Sequence, residues 1–203
     1  ILRQPGHSPG NDRPAGRHLL FSGPIALQLE TPDGRRLGLS AGRHAIIASG
    51  RGFCVTEDTA YGEGVSIRSR KRVEFDGFIL NDLDLTITKN VRLRGIWIEI
   101  PLQRAHARYY NVGGSRTAYL EHSGPPSGRI PESGLKKSFE PYVWIGDEDR
   151  GFSVCTESDQ DWINTRPDEV IVLSCQGKSL VARINLCDDE TEFTAGQVLR
   201  YRF

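Results

Sequence analysis

The sequence predicts an all-β fold, a large antiparallel β-sandwich carrying one short helix. Three observations carry this. Apolar residues alternate with polar ones in about a dozen short runs, the period of half-buried strands. The 22 Gly and 11 Pro fall largely between those runs, where turns need them. Only one stretch has helical character, so an alternating βα pattern with a parallel sheet is excluded.

Ile25, Leu27 and Leu29 open the series, alternating with Ala26, Gln28 and Glu30. Pro32-Asp33-Gly34 turns the chain, since Pro presets φ and Gly accepts φ > 0. Residues 35–39 return as the second strand of that hairpin. Short strands follow at 44–49, 52–57, 65–67 and 73–75. Over 78–88, Leu83, Leu85 and Ile87 share one face, while Asp82, Asp84, Thr86 and Thr88 take the other. Lys89-Asn90 turns into 91–100, where Ile96, Ile98 and Ile100 oppose Trp97 and Glu99. Pro101 removes a ladder donor and is expected to end that strand. Residues 102–110 lack Gly and Pro and place Ala105 and Tyr109 at helical spacing, so they are read as the helix. So short a helix is marginal alone and should cap a sheet end. Residues 111–134 read as loop. Strands resume at 139–145, 151–156, 170–173 and 180–186, with Gly177-Lys178 as a two-residue hairpin loop. Residues 197–203 close the series. No linker interrupts 19–203, which is read as a single β-sandwich domain. Residues 1–18, rich in Pro, Gly, Arg and His, are read as a flexible N-terminal arm or linker. Arg51-Gly52-Phe53-Cys54-Val55 echoes Arg150-Gly151-Phe152-Ser153-Val154, but one short match does not establish a duplication.

Composition bounds function. The 26 basic and 26 acidic side chains cancel, which excludes a general nucleic-acid binder needing a basic surplus. No apolar run approaches the ~20 residues of a transmembrane helix. The chain begins at Ile1 and holds no Met, so it reads as a processed product or a fragment. Cys54, Cys155, Cys175 and Cys187 form no C-x-x-C pair, which argues against a zinc knuckle or a thioredoxin-like motif. They are read as buried small hydrophobes. If they are oxidised, four cysteines allow three pairings, and the redox compartment stays open.

Three stretches taken together carry a resemblance. They are Glu74-Phe75-Asp76-Gly77-Phe78; Ile98-Glu99-Ile100-Pro101-Leu102 with Ala107-Arg108-Tyr109-Tyr110; and Trp144 to Phe152 (WIGDEDRGF) with Glu157-Ser158-Asp159 and Trp162. In this order, over roughly 70–203, the chain resembles the β-sandwich region of large glycoside-hydrolase-like bacterial proteins, in which the sandwich precedes a (β/α)8 barrel. The W-I-G-D-E-x-R-G block with E-S-D and W is the most specific part. Cys155, where such proteins carry a bulkier residue, and the acidic 158–162 segment depart from the pattern. The resemblance admits a galactose-mutarotase-like supersandwich and implies extracellular or periplasmic placement. It assigns hydrolysis to a barrel of about 250 residues, too large to fit here.

The expected function is therefore a non-catalytic β-sandwich domain that packs against and supports that catalytic barrel. The alternatives are an independent carbohydrate-binding module and a sugar-epimerising enzyme of sandwich fold. Glycoside hydrolysis needs two carboxylates at fixed separation. Asp147, Glu148, Asp149, Glu157, Asp159 and Asp161 are plentiful, but they read as turn and strand-end residues, so no catalytic residue is assigned. Within the block, Trp144, Gly146, Asp147, Arg150 and Gly151 are read as structural, with Trp144 and Phe152 anchoring the hairpin in the core. For carbohydrate, an aromatic face can stack on a pyranose while carboxylates and amides meet its hydroxyls. Trp162 with Asp159, Asp161, Asn164 and Glu157 is the best such set. An epimerase would need His and carboxylate to converge; His7, His18, His44, His106 and His122 are scattered, with His106 and His122 the candidates. Asp188-Asp189-Glu190 lacks the spaced calcium pattern, so neither metal nor cofactor is expected. Arg68, Arg70, Lys71 and Arg72 read as a charged edge strand.

Overall fold

A computed structural model describes residues 20–113 and 125–203. Within them the chain is all-β and its four sheets are antiparallel, as the β-sandwich class requires. The strands are β1 (Ala26–Glu30), β2 (Ser40–Gly50), β3 (Phe53–Gly62), β4 (Val65–Glu74), β5 (Ile79–Ile87), β6 (Val91–Leu93), β7 (Gly95–Gln103) and β8 (Tyr109–Gly113). They continue with β9 (Ser127–Arg129), β10 (Leu135–Lys137), β11 (Tyr142–Gly146), β12 (Gly151–Cys155), β13 (Ile171–Gln176), β14 (Ser179–Cys187), β15 (Thr191–Phe193) and β16 (Val198–Arg202). A 3-10 turn, Pro167–Glu169, precedes β13. The N-terminal arm of residues 1–18 and His122 lie outside the described residues.

The described chain gathers into two compact units. The first holds 20–28, 97–113, 125–155 and 164–186; the second holds 29–96, 156–163 and 187–203. The first is built on the sheets β1-β7-β14-β13-β10 and β12-β11-β8-β9. Its buried side chains include Trp97, Ile100, Leu102, Val143, Ile145, Leu173, Leu180 and Ile184. The Arg183 guanidinium lies 3.8 Å from the centre of the Trp97 ring, a cation–π contact. The second is built on β16-β5-β4-β3-β2 and the pair β15-β6. Its core is Leu29, Val65, Ile67, Leu83, Leu85, Ile87, Leu93, Phe193 and Tyr201. Leu83, Leu85 and Ile87 are buried together, as their alternation predicts.

Several expectations need correction. Residues 102–110 are not a helix: β7 runs to Gln103, a tight turn follows, and Tyr109 starts β8. The turn closes through His106 N–H to the Gln103 carbonyl at 2.9 Å. The two tyrosines suit a pleated surface, and ladder partners on β9 and β11 outweigh the weak propensity of one helical turn. Pro101 does not end β7, although it lacks the donor; its carbonyl accepts the Ser22 N–H at 3.0 Å. Residues 35–39 form only an isolated bridge, Glu30 with Arg36. The 111–134 loop holds the end of β8 and all of β9. The basic run of β4 is interior, not an edge, because acids on β3 and β5 face it: Asp58 pairs Lys71, and Asp84 sits 3.5 Å from Arg68. All four cysteines are free thiols; Cys187 is buried but Cys155, on the edge strand β12, is exposed.

Candidate functional site

The W-I-G-D-E-D-R-G block is the β11–β12 hairpin of the first unit. Trp144 is half-buried, not a core anchor, and its indole lies across the two glycines of the hairpin. A Cβ on Gly151 would run into that indole, and one on Gly146 into the same ring and the Arg150 carbonyl. The spacing W-x-G…G therefore follows from close approach. Phe152, also half-buried, meets Phe21 edge to face at 5.0 Å. Asp147 Oδ1 accepts the N–H groups of Asp149 and Arg150, both at 2.9 Å. Its Oδ2 lies 2.8 Å from His106 Nδ1. The His106 hydrogen bond, then those backbone donors, hold the Asp147 carboxyl down to about 2. Glu148 accepts from Arg108 at 2.8 Å and from the Tyr109 hydroxyl at 2.9 Å. Its own backbone N–H and then that hydroxyl lower its pKa. His106 thus meets a carboxylate, but one already saturated by turn donors, so the pair fastens the hairpin tip.

The residues proposed for carbohydrate fall in both units. Glu157, Asp159, Asp161 and Trp162 belong to the second, on the segment after β12; Asn164 belongs to the first. Glu157 and Asp159 are exposed, and Trp162 is half-buried. The Trp162 N–H donates to the Asp159 carbonyl at 3.0 Å, which closes a turn. Asp161 takes φ +65° in that turn, and its Oδ2 accepts the Arg200 N–H at 3.0 Å. Glu157 lies 3.8 Å from Arg202. Asn164 donates to the Asn185 carbonyl at 3.2 Å. Asp161 is thus engaged in fastening the segment to β16. Around Asp188–Glu190, the Asp189 carboxylate caps the Glu190 N–H at 2.8 Å. Among the described residues, no three His, Cys, Asp or Glu side chains are placed to hold a metal.

A polar line on the second unit's five-stranded sheet was not foreseen. Residues directly opposite across antiparallel strands share a face. Register therefore puts Ile46, Thr56, Lys71 and Asn81 in one row, and Cys54, Val73 and Ile79 in the next. In the row toward the core, Asp58 Oδ1 is 2.5 Å from His44 Nδ1, and its Oδ2 takes the Lys71 ammonium. Ser69 donates to Asn81 at 2.7 Å. Burial alone would raise the Asp58 pKa, but the bonds from Lys71 and His44 outweigh it and lower the pKa. At the edge of this line Ile46 is 64% exposed, and beyond it the sheet ends in exposed Ile79 (43%), Phe78 (55%) and Phe75 (87%). Finding either feature from sequence required the β2–β3 register, which two bulges in β2 shift.

The family model for the third domain of glycoside hydrolase 123 matches residues 12–203. The chain belongs to this family. Comparison with curated proteins finds no match. The hairpin block, the 157–164 segment and the apolar sheet end all lie inside the matched span. This glycoside hydrolase 123 domain is a β-sandwich domain of a glycoside-hydrolase-like protein, as the resemblance implied. Among its described residues no helix is long and apolar enough to cross a membrane.

Proposed function

We propose that the chain is a non-catalytic accessory domain that docks on the catalytic barrel of a glycoside hydrolase 123 protein through the apolar end of the β2–β5 sheet. The observation that carries this is the exposure of four large apolar side chains, Ile46, Ile79, Phe75 and Phe78, toward one end of the sheet. Fully burying a large apolar side chain is worth about 1.5–3 kcal/mol. Large apolar side chains left exposed in this way mark interaction surfaces, and a named third domain has neighbours. The Asp58 line gives the patch a polar border, as interfaces commonly have. Two further observations support a non-catalytic role. The His106–Asp147 pair is spent on the hairpin tip, and of the carboxylates of 157–161, Glu157 and Asp159 are exposed while Asp161 is engaged by the Arg200 N–H. Extracellular or periplasmic placement belongs to the same proposal and rests on the resemblance alone.

Hydrogen exchange tests the docking. Amides of 46–54 and 73–79 should exchange more slowly in the longer protein than in this chain alone. Equal exchange in both would end the proposal.

A further inference from the structure

We propose that the second unit carries a binding site for one neutral sugar ring, in a depression at the sheet end opposite the apolar tips. Its cavity of about 240 Å³ is lined by residues from three turns. The first is Thr31–Arg35, closed by Gly34 N–H to the Thr31 carbonyl at 2.9 Å and by the Thr31 hydroxyl to the Arg35 carbonyl at 2.8 Å. The second is Gly62–Val65, where Gly64 takes φ +75° and its carbonyl accepts the Thr88 N–H at 2.9 Å. The third is Lys89–Asn90, where Asn90 Oδ1 accepts the Ala195 N–H at 2.9 Å. The turn backbones are thus fixed before any ligand arrives, which lowers the ordering cost of binding.

The lining chemistry selects the ligand. Half-buried Val91, with a small part of largely buried Leu37, supplies apolar surface for the C–H face of a ring. Glu63 is an acceptor; Arg35, Lys89 and the Asn90 amide are donors. Glu63 and Lys89 lie on different turns, and among the described residues neither side chain forms a hydrogen bond or ion pair, although the Lys89 N–H donates to the Gly64 carbonyl at 3.4 Å. An anion would face Glu63, a cation would face Arg35 and Lys89, and an apolar ligand would strand all of them. A ring of hydroxyls, each both donor and acceptor, satisfies both signs. The cavity is smaller than the ~300–1,000 Å³ of drug-sized sites, which fits one ring rather than a chain. The site is separate from the docking surface and does not depend on it.

Amide NMR titration of this chain with glucose, galactose and N-acetylglucosamine tests it. At least one sugar should give saturable shifts at Gly64, Lys89, Asn90 and Val91, with affinity in the millimolar range expected for one ring. Glu63→Gln and Lys89→Ala, both at exposed side chains, should each weaken binding about five-fold, the loss of one ligand hydrogen bond. Three results would overturn the site: no saturable shift with any of the three sugars, shifts centred on 157–162 instead, or full affinity in both variants.

Discussion

Gly151 shows how one position can be fixed by a neighbour rather than by its own backbone. Its φ is not positive, yet a Cβ there meets the Trp144 indole. Gly151→Ala should destabilise the chain by about 1–3 kcal/mol, the usual range for overpacking. Denaturant unfolding measures it. Trp144→Ala clears the space, so the double variant should lose less than the two single losses summed. Strict additivity would mean that the indole does not hold this glycine. Gly77 is the opposite case: φ is +92° and nothing lies within 4 Å of an added Cβ. There the constraint is conformational.

At the scale of the element, the β11–β12 hairpin is held by one carboxylate serving three donors. Its pKa falls from 3.8 to about 2 on folding. The sign follows: the folded state binds fewer protons at this group, so its stabilisation is complete above the unfolded value. It is lost as pH falls from about 4 to about 2. The native chain should therefore lose thermal stability over that window. Asp147→Asn, less stable at neutral pH, should show a shallower acid decline. Parallel declines in a pH series of melting curves would refute the assignment. How much of such an element is legible from sequence depends on the range of its cause. Asp147-Glu148-Asp149-Arg150 between apolar runs signals a turn locally, and the hairpin was predicted there. The His106 partner is not legible there, because 102–110 carries helical spacing and its strand-and-turn form is decided by β9 and β11. Likewise 78–88 showed its faces plainly, but His44, Asp58 and Lys71 converge only through register. The carbohydrate set failed to show its division because proximity in sequence says nothing of which unit takes each residue.

At the scale of the molecule, the exposed apolar sheet end separates two accounts of the chain. If it faces water in the working protein, replacing Phe75 with a charge costs nothing anywhere. If it is covered by the catalytic barrel, the same change should be silent in the isolated chain and costly in the longer protein. Phe75 is 87% exposed, so Phe75→Asp should leave this chain's melting temperature nearly unchanged. In the longer protein, a docked domain unfolds cooperatively with its neighbour, whereas an undocked one melts as a separate unit. Calorimetry of the longer protein should therefore show one shared transition that Phe75→Asp, combined with Ile46→Asp, splits in two. The split follows because each buried charge would face an apolar partner surface without a counter-ion. An unsplit transition, with the isolated double variant still folded, would mean that this end of the sheet stays in water and that the domain is held by another surface.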